Sequence, residues 1–354
     1  MINQSPHTIA TGAFRFNTDS SKLEYYDGNQ WVNVTSTSPE VQTGGTRGIL
    51  MGGESHPAAI NTISYVQINT TGNTTDFGDL PTAKYGAGAS SRTHAFCLGG
   101  YVAPSTVNTI DRVTITSTGN ATDYADCSFP RDASVAWSDS TRALIAGGNH
   151  PSTPDPQNRT NNIDYFTMST NATTVDFGDL WDQTRYCGAV GSAVRMIIYG
   201  GQTDNPATYT NSMNYVNIST SGDTEDFGDL TAGYWGSWGQ SSVSSATRGC
   251  VGGVGGAPGG LTNTINYVTT ASLGDAKDFG DLTTSEGYGF RSTQLCSGVR
   301  GIFIGGYLPS SPNKSNAMDY ITIATQGNAI DYGDIDYTTG GFIATGSNGH
   351  GGLG

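Results

Sequence analysis

Six segments set two acids around an aromatic residue and, in five of the six, a glycine. They read TTDFGDL at 74–80, ATDYADC at 121–127, TVDFGDL at 174–180, TEDFGDL at 224–230, AKDFGDL at 276–282 and AIDYGDI at 329–335. The first acids are Asp76, Asp123, Asp176, Asp226, Asp278 and Asp331; the second are Asp79, Asp126, Asp179, Asp229, Asp281 and Asp334. Paired carboxylates can hold a hard cation or share acid–base work. A calcium loop, however, needs about four or more staggered oxygens in one turn, and these segments fall short of that, though calcium stays open. Acid–base catalysis needs a pair whose two pKa values are driven apart by their surroundings. A pair repeated six times offers no such singular site.

A scaffold role has a candidate partner. One arginine precedes each Gly-Gly run: Arg47, Arg92, Arg142, Arg195, Arg248 and Arg300. Matched acids and arginines suggest charge-assisted hydrogen bonds repeated once per unit. In that latch an Asp ties the outer strand to an Arg or to turn amides. The aromatic enters the core between units, and the glycine permits a bulge or a close backbone approach.

Other chemistry finds little footing. Five histidines occur, His7, His56, His94, His150 and His350, and none falls in an inferred axial strand. A redox copper site would need nitrogen-rich ligands. There is no G-x-S-x-G, P-loop or H-E-x-x-H pattern. The five cysteines, at 97, 127, 187, 250 and 296, form no C-x-x-C and lie in or beside apolar strand-like segments. They read as buried free thiols, with a disulfide or a reactive thiol as alternatives. The sequence therefore predicts no catalytic residue, no metal ligand and no cofactor.

The elements that position these residues repeat. An apolar run ends in Gly-Gly at Gly53, Gly100, Gly148, Gly201, Gly253 and Gly306. A polar loop follows, then an alternating segment such as NTISYVQI or NNIDYFTM, then a turn such as TTGN or TSGD, then the acid–aromatic segment. A further strand of small residues precedes each next run, as in KYGAGAS, RDASVAW, RYCGAVG, YWGSWGQ and YGFRSTQ. Four short strands per ~50 residues is a propeller-blade signature. The first of six units lacks its first strand, and TTGGFIATGS at 338–347 supplies one at the other end. The expected fold is all-β: a six-bladed propeller over 39–354, four strands per blade, whose C-terminal strand completes the first blade and protects the edges.

Composition agrees with a turn-rich β protein: 50 glycines in 354 residues, 13% charged residues, and 18 Tyr, 12 Phe and 5 Trp. That many aromatics argues against disorder. A net charge of −14 with scattered Lys and Arg argues against nucleic acid as a partner. No stretch approaches the ~20 apolar residues of a membrane helix, so no membrane insertion is expected, and the start, MINQSPHTIA, does not read as a signal peptide. Residues 1–38 stand apart. Within them GAFRFNTDSSKLEYYDGNQWVNV reads as three short strands, too few for a core of their own.

Two resemblances follow from these residues. The Gly-Gly strands, the later Tyr of SYV or DYF and the aromatic of the fourth strand resemble a Kelch repeat over about 41–350. The likeness is loose where Phe77, Tyr124, Phe177, Phe227, Phe279 and Tyr332 stand in place of the usual Trp. Galactose oxidase, the main enzymatic relative of such propellers, holds copper with two Tyr and two His, a set this chain does not offer near its axis. The N-terminal segment resembles one of bacteriophage tail-fibre and other virion proteins, through Gly12, Arg15, Phe16, Asn17, Lys22, Leu23, Glu24, Tyr25, Tyr26, Asp27, Gly28 and Trp31. Propellers with repeated DFGDL are also similar to those of phage structural proteins. The resemblance implies a virion protein made in the host cytoplasm, tail-associated as fibre or baseplate, present in several copies and attached to other virion proteins through residues 1–38. An architectural or capsid-decorating subunit is the alternative, and a glycan-active propeller enzyme a distant one.

Recognition of a host-surface glycan or protein would fall to the loops that do not repeat: ESHPAAI, YVAPSTV, NHPSTPDPQNRT, QTDNPATYT, VGGAPGGLT and YLPSSPNKS. Each carries proline, which limits loop entropy. Their candidate contact residues are His56, Tyr101, His150, Asp155, Arg159, Asp204, Tyr209, Tyr307 and Lys314. The same loops read equally well as solvated connectors.

Overall fold

The computed structural model describes residues 9–17, 22–33, 46–55, 58–153, 155–203, 208–231, 241–253, 262–284, 293–306, 314–339 and 341–353. The chain forms two compact units, 1–43 and 44–354.

In the first unit Phe14–Asn17, Lys22–Tyr26 and Trp31–Asn33 form an antiparallel meander. Its second turn is set by Asp27, whose carboxylate accepts from the amides of Asn29 and Gln30. These two bonds hold the Asp27 carboxyl below its ordinary value. Arg15 donates from Nε to Glu24 at 2.7 Å and lies 4.2 Å over the Trp31 ring. Phe14 stands opposite Tyr25 and Phe16 opposite Leu23, so these four share one face, and all four are exposed.

The second unit is a succession of antiparallel sheets. The first orders Ala344–Ser347, Arg47–Met51, Thr62–Gln67 and Thr75–Asp79, so a C-terminal strand is its inner member. Four more four-stranded sheets cover 85–126, 135–179, 188–229 and 241–281. The sixth shows three strands, Arg300–Gly306, Ser315–Thr322 and Ile330–Thr339, and Cys296 bridges Gly301 where an inner strand stands in the others. The fifth inner strand is Ser241–Ser244, just beyond the YWGSWGQ that the pattern suggests; Tyr234–Gln240 and most of YGFRSTQ lie outside the described residues.

Small residues dominate the inner strands because those strands touch one another. A Cβ on Gly88 would stand 2.2 Å from the backbone of Thr345, so only glycine fits there.

Apolar residues of the middle and outer strands form six clusters among the described residues, each between two sheets. Ile49 and Phe77 of the first sheet pack on Val113 of the second. The succession continues sheet by sheet, and Leu50 and Val66 of the first sheet pack on Ile302 and Tyr332 of the sixth. The arrangement is propeller-like.

Polar residues in the third strands hold the crossovers. Asp111 pairs with Lys84 at 2.8 Å, Asp164 with Arg131, Asn266 accepts from Thr231, Asp319 accepts from Thr283, and Ser64 donates to Asp336. The first four partners lie in the connection leading into that sheet's own inner strand, whereas Asp336 lies in the sixth sheet's outer strand, which precedes the first sheet's inner strand. Lys84 and Arg131 are almost wholly buried, so removing either carboxylate would strand a charge, at about 3–5 kcal/mol.

Candidate functional site

The repeated acids and arginines are not partners of one another. Among the described residues no ion pair joins the two sets. The first acids are exposed and the second exposed or half-buried. What recurs at the second acid is its backbone. The amides of Asp79, Asp179, Asp229, Asp281 and Asp334 donate to Asn120, Asp223, Asp275, Asn328 and Asn73, which sit in the turn of the next sheet. That turn also donates backbone bonds back, as from Gly222 to the Phe177 carbonyl at 2.8 Å and Thr224 to the Asp179 carbonyl at 2.9 Å. A Cβ on Gly178, at φ +152°, would lie 2.2 Å from the Gly222 oxygen. The glycine of the segment therefore serves the approach of the neighbouring turn. Crowding by Asp223 and Asp176 adds to burial in raising the Asp179 carboxyl above its ordinary value.

The arginines cross to the next sheet as well. Arg47, Arg142, Arg195, Arg248 and Arg300 donate to the carbonyls of Ile115, Ile218, Thr270, Ile323 and Ile68, each at the end of the third strand of the next sheet. Each lies 4.2–4.9 Å over a tyrosine of its own sheet: Tyr65, Tyr165, Tyr215, Tyr267 or Tyr320. The segment's aromatic packs edge-on against that tyrosine, as Phe177 does on Tyr165 at 5.8 Å. In the second sheet the matching position is His94, not Arg92: His94 pairs with Thr114 as Arg142 pairs with Thr167. Arg92 lies two residues earlier in a turn and donates to the Leu353 carbonyl at 2.6 Å. A count of arginines before Gly-Gly hides this shift, whereas alignment from the Gly-Gly pair exposes it.

The irregular loops emerge at one edge of the sheets, with the crossovers; the turns between first and second and between third and fourth strands emerge at the other. At the loop edge, between the first and second sheets, lies a cleft of about 360 Å³ lined by Glu54, Ala59, Thr82, Tyr85, Tyr101 and Val102. Tyr85 stacks on Tyr101 at 5.4 Å and 28°, and leans on Phe342 at 5.0 Å. Tyr101 is held by a hairpin that runs through Gly99-Gly100, pairing Tyr101 with Thr106 and Val102 with Ser105. Lys314 reaches Glu54 at 3.9 Å, and burial lowers the lysine's pKa. An aromatic shelf beside a carboxylate and an ammonium suits a polyol: ring C–H groups lie on the aromatic face, and hydroxyls donate to the acid.

The other loop residues meet different fates. Asp155 and Arg159 pair with each other at 3.1 Å, and Arg159 is buried, so they brace their own loop. That bond lowers the Asp155 carboxyl. His150 stacks on Phe129 at 4.1 Å, with burial and Arg131 lowering its pKa. Tyr209 receives a bond from Gln202. His56, Asp204 and Tyr307 lie outside the described residues. Sequence reasoning passed over Glu54 and Tyr85, and no spacing signal marks them, because their meeting depends on packing between two sheets.

Between the inner strands sits the segment Gly351–Leu353, a 3-10 turn. His350 is buried against Trp137 at 5.6 Å with Nε2 3.0 Å from the Ser90 carbonyl, and its Nδ1 accepts from the Gly352 amide. All five cysteines are free and buried. Among the described residues no three His, Cys, Asp or Glu side chains are grouped to hold a metal. No family model and no curated protein matches the chain.

Proposed function

We propose that this is a bacteriophage virion structural protein, tail-associated, whose propeller displays a saccharide-binding loop edge. In this reading residues 44–354 form six blades closed by the C-terminal strand. The pairing of Ala344–Ser347 with Arg47–Met51 and the packing of the sixth sheet on the first support that closure. The N-terminal meander attaches the protein to another virion protein through its apolar face, where Phe14 and Phe16 are 67% and 63% exposed.

The observation that carries the binding role is the cleft of Tyr85, Tyr101 and Glu54. It is partly apolar and set on the edge that bears the variable loops, a common layout for recognition. The test is twofold. Mass spectrometry of purified particles from a phage encoding this chain should find the protein. The purified full chain should bind at least one polysaccharide in a panel of bacterial surface glycans, and Tyr101→Ala should weaken that binding about tenfold. Absence from particles overturns the virion assignment; presence in particles without glycan binding overturns the recognition role in favour of a purely architectural one.

A further inference from the structure

Two residues of the last crossover stand behind both walls of the loop-edge cleft. Gly341 and Phe342 lead into Ala344–Ser347, the C-terminal strand that completes the first sheet. The Gly341 carbonyl accepts from the Glu54 amide at 3.1 Å, which holds the acidic wall on the first sheet. The Phe342 ring lies 5.0 Å from that of Tyr85, at 33°, on the second sheet. Tyr85 in turn stacks on Tyr101. Phe342 is itself buried and stands behind the lining of the cleft, so it acts there through Tyr85.

The backbone explains how one dipeptide reaches two sheets. Phe342 has φ +60°, in the left-handed region that bulky side chains rarely adopt. The same bend recurs two residues before the inner strands of the third and fourth sheets, at Ala133 (φ +57°) and Tyr186 (φ +62°). The bend therefore belongs to the crossover, and the side chain set on it differs from sheet to sheet. The third sheet places alanine there. The fourth places Tyr186, with the Arg185 guanidinium 5.0 Å over its ring. The first places a phenylalanine that meets a tyrosine of the cleft. There is little slack around it. A Cβ on Gly53, the residue before Glu54, would stand 2.9 Å from the Ile343 side chain, and one on Gly100, the residue before Tyr101, would stand 2.2 Å from the Tyr85 oxygen. The separation of the two walls thus follows the seating of the C-terminal strand, whose first residue, Ala344, pairs with Met51.

We propose that Phe342 is a positioning residue for the loop-edge cleft and that the cleft is coupled to the C-terminal strand: the seated strand sets Tyr85 and Glu54 at their binding separation, and an occupied cleft holds the strand in place. For its ligand the proposal rests on the saccharide reading of that cleft. The coupling is reciprocal, so what tightens the strand tightens binding by the same factor. Loss of one aromatic contact beneath Tyr85 should weaken binding about 3- to 10-fold.

The full chain is compared with Phe342→Ala, Phe342→Tyr and Tyr186→Ala in two measurements. The first is amide hydrogen exchange without ligand. Phe342→Ala should speed exchange across the hairpin 101–106; Tyr186→Ala, the same truncation at the same bend of the fourth sheet, should not. Ala133 shows that alanine is accommodated at this bend. Phe342→Tyr keeps a ring at a φ that Tyr186 adopts and should behave as the native chain. Phe342→Leu, which keeps bulk without the ring, is read in the same way and replaces the alanine variant if that one does not fold. The second measurement titrates each protein with the panel of bacterial surface polysaccharides. For any that the native chain binds, Phe342→Ala should show the 3- to 10-fold loss, and Phe342→Tyr and Tyr186→Ala less than about twofold. The bound polysaccharide should also slow exchange in Ala344–Ser347 more than in Val135–Ser138. Hairpin exchange no faster in Phe342→Ala than in Tyr186→Ala, or binding that Phe342→Ala leaves unmoved, overturns the positioning role. A native chain that binds none of the panel overturns the saccharide reading and the coupling with it, while the exchange measurement still decides whether Phe342 sets the cleft.

Discussion

Replacing Gly178 by alanine tests what the repeated acid–aromatic–glycine segment is for. The new methyl carbon would stand 2.2 Å from the Gly222 carbonyl oxygen and 2.4 Å from its carbon, both backbone atoms. Neither can swing aside as a side-chain end would. The turn must withdraw, which weakens three bonds between neighbouring sheets: Gly222 to Phe177, Thr224 to Asp179, and the Asp179 amide to Asp223, at 2.8, 2.9 and 2.9 Å. At about 1 kcal/mol each, with about 1–3 kcal/mol for an L-residue at a glycine conformation, the loss is roughly 4–6 kcal/mol. The second sheet supplies a natural control. Ala125 holds the same place at an ordinary φ, and the facing turn keeps only the Thr174 to Asp126 backbone bond. Ala125→Gly should shift stability by less than ~1 kcal/mol. Urea unfolding followed by tryptophan fluorescence reads both. If Gly178→Ala lies within 1 kcal/mol of the native protein, the close approach does not matter and the segment's glycine needs another reason.

Three further outcomes are expected. Arg195→Ala loses the bond to the Thr270 carbonyl at 3.3 Å and the contact with Tyr215 at 4.6 Å, and urea unfolding should show a loss of about 1–2 kcal/mol. Burial holds His350 at about 4 against a usual 6.5, so its contribution is complete above pH 6.5 and falls away as pH drops to 4, by roughly 3 kcal/mol. His350→Asn should flatten that part of a stability–pH curve. Burial pushes the thiols of Cys97 and Cys296 up to about 11 and that of Cys127 to about 12, so a thiol reagent at pH 8 should modify none of the five cysteines until the protein is unfolded.

Much of the strand order was legible because each strand type carries its own signature: apolar before Gly-Gly, alternating around Asn-x-Ile, small where inner strands meet. The aromatic of each acid segment was also legible, since its alternation with exposed acids points it inward. The pairing of acids with arginines was not. Charges at matched spacing suggest contact, but spacing along one chain does not say which sheet a long side chain reaches. Arg47 crosses to the second sheet and Arg300 to the first, where backbone carbonyls await them. The loop residues divided on the same ground. Asp155 and Arg159, four apart, satisfy each other, whereas Tyr101 finds Tyr85 across a sheet junction.

Departures from the repeat gather on the second sheet. Its second and third strands are 9 and 10 residues long, where the second strands of the first, third, fourth and fifth sheets have 5. It carries His94 for arginine, Arg112 for tyrosine and Ala125 for glycine. The buried Lys84–Asp111 pair secures its entry and Arg131–Asp164 its exit. The long hairpin raises Tyr101 into one cleft at the loop edge; the His94 and Arg112 exchanges open the other at the turn edge. A scaffold selected only for stacking would gain nothing from these exceptions. The His94, Arg112 and Ala125 exchanges each give up a contact that other sheets keep. If the loop edge binds saccharide as proposed, the second sheet is where regularity yields to recognition, and shortening its hairpin should abolish that binding while leaving the remaining sheets intact.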